Sequence, residues 1–97
     1  MSEDGFLGWA KFDLHLPYSR SLKEKRMAIK SIKEKIRALT GASVAEIDGN
    51  ETWQTATIAA AIVSNDSNHI ETSWNDMLRI IQNRDEVVIV NAEKKWK

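Results

Sequence analysis

The chain has 97 residues, 42% hydrophobic and 29% charged, with 14 basic and 14 acidic side chains and a formal net charge of zero. It contains no cysteine, which excludes disulfides, thiolate metal sites and cysteine nucleophiles. The longest apolar run, residues 58–63, is too short to span a bilayer, and the acidic start does not resemble a signal peptide. We therefore expect a cytoplasmic protein with no membrane partner.

The first two predicted elements are a strand and a helix. Residues 6–16 alternate with period two, which predicts a strand with one buried face, and Pro17 ends it. Ser21 and Glu24 have the spacing of a capping box, and Gly41 is a typical helix end. Apolar residues between these signals form one stripe at helical spacing. The stripe consists of Leu22, Ile29, Ile32, Ile36 and Leu39.

The second half of the chain predicts two strands, a helix and a last strand. Residues 43–47 form a short strand, 48–50 a turn, and 53–64 a long strand whose even-numbered residues share one face. Capping signals at 65–68 precede a second amphipathic helix, and residues 86–93 predict a β-branched strand before a charged tail. The apolar side of the second helix carries Ile70, Trp74, Met77, Leu78 and Ile81.

The predicted order is βαββαβ. Connection rules place both helices on one face of a four-stranded antiparallel sheet, which is the ferredoxin-like sandwich of the α+β class. No repeat, linker or low-complexity segment interrupts the pattern. We expect a single ferredoxin-like domain over residues 1–97.

Positive charge is concentrated in the first helix. Eight basic residues between positions 20 and 37 stand against two acidic ones, so this segment carries +6 and the rest of the chain −6. At about 100° per residue, four of them form a basic ridge roughly 16 Å long, which suits a phosphate backbone. A merely solvated helix face is the alternative. The predicted phosphate contacts are Arg20, Lys23, Arg26, Lys30, Lys33 and Arg37.

The sheet face away from the helices is predicted to be bare. RNA-recognition motifs of this topology stack bases on aromatic residues of both central strands, but here the third strand offers threonine and alanine, which disfavours such a motif. An exposed strip of small and apolar residues is more typical of an interface with a second copy or another protein. The predicted interface residues are Trp9, Ala59, Ala61 and Val63.

Signals for catalysis or metal binding are weak. Asp13 and His15 share a strand face, but side chains two residues apart on a strand lie about 7 Å from one another. Lys25 falls within the apolar stripe, where we expect its ammonium to reach water past the first helical turn. His69 lies in no recognised metal-ligand pattern. We predict no enzyme, no catalytic or metal residue and no cofactor; an enzymatic alternative rests on Asp13, His15 and Lys25 alone.

The tryptophans differ in their expected roles. Trp74 lies on the apolar side of the second helix and is predicted to be in the core. Trp53 is predicted to close one end of the sheet, with ligand stacking as the alternative. Trp9 is the better candidate for an exposed aromatic.

Four segments resemble a bacterial family. They are RSLKEKR (20–26), SVAEID (43–48), WQTAT (53–57) and VSND (63–66). Together they resemble the YlxP-like family, a group of unknown function and similar length, over essentially the whole chain. The resemblance implies a ferredoxin-like fold. Because members are often encoded near translation and ribosome-maturation factors, it also implies an RNA or ribosome setting, but no activity or catalytic residue.

Two functional hypotheses follow from these observations. The first is a small non-enzymatic protein that binds RNA or the ribosome through the basic first helix. The second is a homodimer or protein-binding adaptor that uses the bare sheet face. The two are compatible, because a dimer would double the basic surface.

Overall fold

The computed structural model describes residues 5–49 and 51–96. Within this part of the chain the elements follow the predicted order, while the acidic start at 1–4 lies outside the described residues. In chain order the elements are β1 (Phe6–His15), α1 (Leu22–Thr40), β2 (Ser43–Asp48), β3 (Thr55–Ser64), α2 (Ser67–Gln82) and β4 (Val88–Trp96).

The four strands form one antiparallel sheet in the order β2-β3-β1-β4. The central pair is held in register along its whole length, from Phe6 opposite Ser64 to His15 opposite Thr55. Every second residue of β1 and β3 is buried, and these buried positions face the two helices. The predicted ferredoxin-like sandwich is therefore confirmed.

The core lies between the helices and the central strands. Phe12 is fully buried at its centre and stacks on the half-buried Trp74 of α2, with 5.4 Å between the ring centroids. Gly8 of β1 lies directly under α2, where an added Cβ would collide with Cγ2 of Ile70. The absence of a side chain at Gly8 therefore lets α2 approach β1 closely. Both helices supply apolar residues to this core: Ile29, Ile32, Ile36, Ile70, Met77 and Ile81.

The helix ends match the signals in the sequence. Ser21 Oγ accepts from the amide of Glu24 at 3.1 Å, and the Glu24 carboxylate accepts from the amide of Arg20 at 2.7 Å. Gly41 adopts a left-handed conformation (φ 75°) and donates to the carbonyl of Arg37. Asp66 caps α2 through the amide of Asn68.

Three predicted details differ from the structure. β3 begins at Thr55 rather than at 53, because the two preceding residues belong to the loop after β2. β4 covers Val88–Trp96 rather than 86–93, since the charged tail continues to pair with β1. Leu39 is exposed instead of lying in the apolar stripe. The buried position in the last turn of α1 belongs to Thr40, whose hydroxyl donates to the carbonyl of Ile36 at 2.6 Å.

Candidate nucleic-acid interface

Four basic residues of α1 form the predicted ridge on the flank of the helix beside β2. We call Arg26, Lys30, Lys33 and Arg37 the basic ridge; all are exposed except Lys33, which is partly buried. A shallow groove runs along their side chains between α1 and β2. The guanidinium of Arg37 donates to the backbone carbonyl of Val44 at 2.7 Å, which fixes the end of the ridge against β2.

Little negative charge offsets the basic ridge. Lys30 Nζ lies 3.9 Å from a carboxylate oxygen of Glu34, and both side chains are largely exposed. Such exposed pairs contribute about 0.5 kcal/mol or less on a helix surface. Among the described residues, the other three members of the ridge form no salt bridge with a carboxylate. The bond from Arg37 is to a neutral carbonyl, so its charge remains available.

The remaining cations of this segment are distributed around the ridge. Arg20 and Lys23 are exposed at the start of α1, next to the ridge. Lys35 lies on the opposite flank, close to Glu86. A hydrogen bond from its own backbone amide lowers the pKa of Glu86 most, followed by a hydrogen bond from Arg84 and a weaker attraction from Lys35. The charge of Lys35 is thus partly offset, as is that of Lys30, whereas Arg26, Lys33 and Arg37 have no carboxylate partner among the described residues.

The prediction that the ammonium of Lys25 reaches water is wrong. Its side chain is 0% exposed, and Nζ lies 2.5 Å from Glu46 Oε2 and donates to the carbonyl of Gly49 at 2.6 Å. The contact with Glu46 is ionic, since Oε2 has no hydrogen bond of ordinary geometry. Glu46 pairs with the buried Ile58 and so shares the helix-facing side of the sheet. Glu46 also lines the groove beside the basic ridge, but its salt bridge is with Lys25, which offsets its charge.

The bare sheet face brings the predicted interface residues together. Trp9 lies opposite Ala61 in the β1–β3 register, Ala59 is the next outward residue along β3, and Val63 is 73% exposed beside them. The ammonium of Lys95 lies 5.5 Å from the ring centroid of Trp9, which is a cation–π contact. This patch lies on the side of the sheet away from the helices, and hence away from the basic ridge.

The residues of the enzymatic alternative are not brought together. Asp13 points to the bare face, where its carboxylate accepts from Thr57 Oγ1 at 2.8 Å and from the Asn91 side chain at 3.4 Å. His15 belongs to the same strand face, whereas Lys25 is buried on the helix-facing side. Within residues 5–49 and 51–96, no group of three or more acidic or histidine side chains is placed to hold a metal ion.

The prediction that Trp53 closes one end of the sheet is also wrong. Trp53 lies in the loop between β2 and β3 with 51% of its surface exposed, and it does not close the end of the sheet. The sequence does indicate a turn at Asp48 and Gly49. The loop that includes Trp53 continues from there to β3, further than the local sequence pattern indicates.

Family membership follows from the match over nearly all of these elements. Residues 7–94, from β1 to β4, match the family described as "Protein of unknown function (DUF503)". The chain belongs to this family. No curated protein matches the DUF503 chain significantly. Neither described helix combines the length and the apolar character that a bilayer crossing requires.

Several solved structures resemble the DUF503 chain in fold. A dabb family protein with a ferredoxin-like fold from Mesorhizobium loti has 13% identity and a TM-score of 0.55, covering 96% of this chain and 95% of that one. A dimeric protein of unknown function from Bacteroides fragilis has 12% identity and a TM-score of 0.53 over the same shares. The de novo designed protein Foldit4 has 17% identity and a TM-score of 0.54, covering 95% and 93%. At these identities the likeness concerns the fold alone.

Proposed function

We propose that this DUF503 protein binds the phosphate backbone of RNA, in the setting of the ribosome, without catalysing a reaction. The observation that carries the proposal is the exposed basic ridge, whose charges are left without strong carboxylate partners while Glu46 is taken by Lys25. Arg20 and Lys23 extend the cationic surface at the start of α1. The resemblance to YlxP-like proteins supports the RNA and ribosome setting.

Phosphate binding explains why the cations are arranged along one flank. The ridge spans roughly 16 Å at about 1.5 Å per residue, so several phosphates of one strand can be reached at once. Each phosphate that a Lys or Arg neutralises releases counterions, which makes binding favourable at low salt and weaker at high salt. Contacts of this kind position a nucleic acid and carry little sequence information.

Charge reversal on the ridge tests the proposal. A structured RNA is titrated at two salt concentrations with the wild type and with Arg26→Glu/Lys30→Glu. Loss of two phosphate contacts weakens binding at least roughly 50-fold near 0.1 M salt. The matched control is Lys35→Glu/Lys95→Glu, which changes the net charge equally at exposed positions off the ridge. Salt-insensitive binding, or equal losses in the two variants, would contradict the proposal.

Self-association through the bare sheet face is a second candidate function. The small and apolar patch of Trp9, Ala59, Ala61 and Val63 is contiguous, as a self-complementary interface requires. The Bacteroides fragilis protein of similar fold, which is described as dimeric, supports this candidate.

An arginine in the centre of the patch tests this second candidate by light scattering at high protein concentration. Ala61→Arg is expected to halve the mass of a wild-type dimer, because it places a charge in the interface. Gln82→Arg, at an exposed position of α2, is the control that leaves the mass unchanged. A wild type that is already monomeric would remove the candidate.

A further inference from the structure

Trp53 is a large aromatic residue that the structure holds at the surface. Its side chain is half exposed, although burial of a tryptophan is usually favourable. Both neighbours are anchored: the Thr52 hydroxyl donates to the carbonyl of Gly49 at 2.9 Å, and the carbonyl of Gln54 accepts from the amide of Leu16 at 2.8 Å. The residues on both sides of the exposed ring are therefore held to the rest of the molecule.

The same loop is fastened to the start of α1. Lys25 Nζ donates to the carbonyl of Gly49, and Arg26 is the next residue of the helix. The Gln54 side chain donates to the carbonyl of Ser19 at 3.4 Å, one residue before Arg20. Trp53 thus lies at the end of the molecule where the cationic surface begins.

A cationic surface and an exposed aromatic ring at the same end of the molecule suit a single strand, although Glu51 also lines the surface around the ring. Proteins that bind single-stranded nucleic acids hold the backbone with basic residues and stack bases on aromatic side chains. A duplex keeps its bases stacked on one another and offers mainly its backbone and a shallow groove. The ridge alone fits either form of RNA, whereas only the form with unpaired bases can stack a base on the ring.

We propose that Trp53 stacks an unpaired base and makes the basic surface of α1 selective for single-stranded RNA. This inference rests on the proposed RNA-binding function and specifies its substrate. The charge of the ridge favours a polyanion over a protein partner, and the exposed ring at the same end of the molecule favours accessible bases over a duplex.

The test compares a labelled single strand of about 12 nucleotides, within the usual site sizes, with a blunt-ended duplex that carries as many phosphates and has no unpaired loop. Trp53→Ala is expected to weaken single-strand binding about 5- to 150-fold and to change duplex binding less than about 2-fold. Trp53→Phe keeps an aromatic face and retains most of the affinity. Tyr18→Ala is the control, because Tyr18 is 79% exposed but lies with Met27 on the other flank of α1.

The outcomes separate this inference from the proposed function. Unchanged single-strand affinity in Trp53→Ala, as for a ring that serves a protein contact, overturns the inference and leaves ridge-dependent binding intact. Equal losses for the single strand and the duplex overturn it as well. A wild type that binds neither RNA overturns both proposals.

Discussion

The ammonium of Lys25 is the one fully buried charge among the described residues, and it is held by two oxygens on the β2 side. Removing charges from water costs several kcal/mol per ion, which mutual attraction and hydrogen bonding offset only when the geometry is good. Here the second acceptor, the carbonyl of Gly49, ties the helix to the loop after β2. The pair therefore determines where that loop lies relative to α1.

Removal of one partner from this pair is expected to be strongly destabilising. Lys25→Met leaves the carboxylate of Glu46 largely buried without its cation, which costs about 3–5 kcal/mol of unfolding free energy. Urea unfolding measures the loss as a lowered midpoint with a similar slope. Lys23→Met, at an exposed position one turn from the ridge, is the control and changes stability by less than about 0.5 kcal/mol. Similar midpoints for the two variants would contradict a structural role for Lys25.

The partner of Lys25 was not predictable from helix periodicity alone. The sequence correctly places Lys25 on the apolar side of α1, but that pattern describes one helix and says nothing of what faces it. The missing signal is in β2, where Val44 and Glu46 alternate onto the same buried side. A lysine in an apolar stripe and a glutamate on the facing strand predict an ion pair only when both are considered together.

The contact between α2 and β1 depends on the absence of a side chain at Gly8. Any side chain there meets Ile70, which is itself buried in the core. Because interiors are close-packed, either the Ile70 side chain or the helix has to shift to admit even one methyl group.

Gly8→Ala is therefore expected to destabilise the fold by about 1–3 kcal/mol through overpacking. Thermal unfolding of a double-mutant cycle with Ile70→Ala checks the cause, since removal of the Ile70 side chain provides room for the new methyl. The cost of the double variant should be smaller than the sum of the two single costs. Strict additivity would show that Gly8 acts in some other way, such as through the flexibility of the unfolded chain.

The sequence predicts the elements well where one face is buried and less well elsewhere. β1 and α1 are predicted almost residue by residue, because alternation and capping signals agree with the tertiary burial. The end of β4 is missed because Lys94 and Lys95 lie on an outer strand, where pairing with β1 does not require an apolar pattern. The exposed loop around Trp53 is missed for a related reason: its conformation depends on hydrogen bonds to residues 16–19, far away in the sequence.

The basic ridge and the apolar patch lie on separate surfaces of the molecule. The basic ridge lies on a flank of the helical layer, and the apolar patch lies on the opposite side of the sheet. The proposed RNA binding and the proposed self-association would therefore use different surfaces, and a change in one surface should leave the other intact.

If the protein binds RNA as proposed, the salt dependence of its affinity measures how many of these cations contact phosphates. If the ridge, Arg20 and Lys23 all contact phosphates, the logarithm of the affinity for a single strand should fall with the logarithm of salt concentration with a slope of about 4. Each alanine substitution in this set lowers the slope by about 0.7, whereas Ala61→Arg on the bare face leaves it unchanged. Titrations at several salt concentrations measure both slopes. A slope near zero would show that the contacts are not ionic.

The position of the ridge beside β2 has a further consequence. β2 is an outermost strand, and Arg37 already occupies one of its backbone carbonyls. Outer strands are templates on which other chains add in edge-to-edge aggregation, and charged side chains are a common protection against it. Two copies that approached each other at the outer edge of β2 would bring the cations of their basic ridges close together. Neutral substitutions along the ridge would weaken this protection, and so would Arg26→Glu/Lys30→Glu, which leaves two cations and two carboxylates on the ridge that can pair between copies.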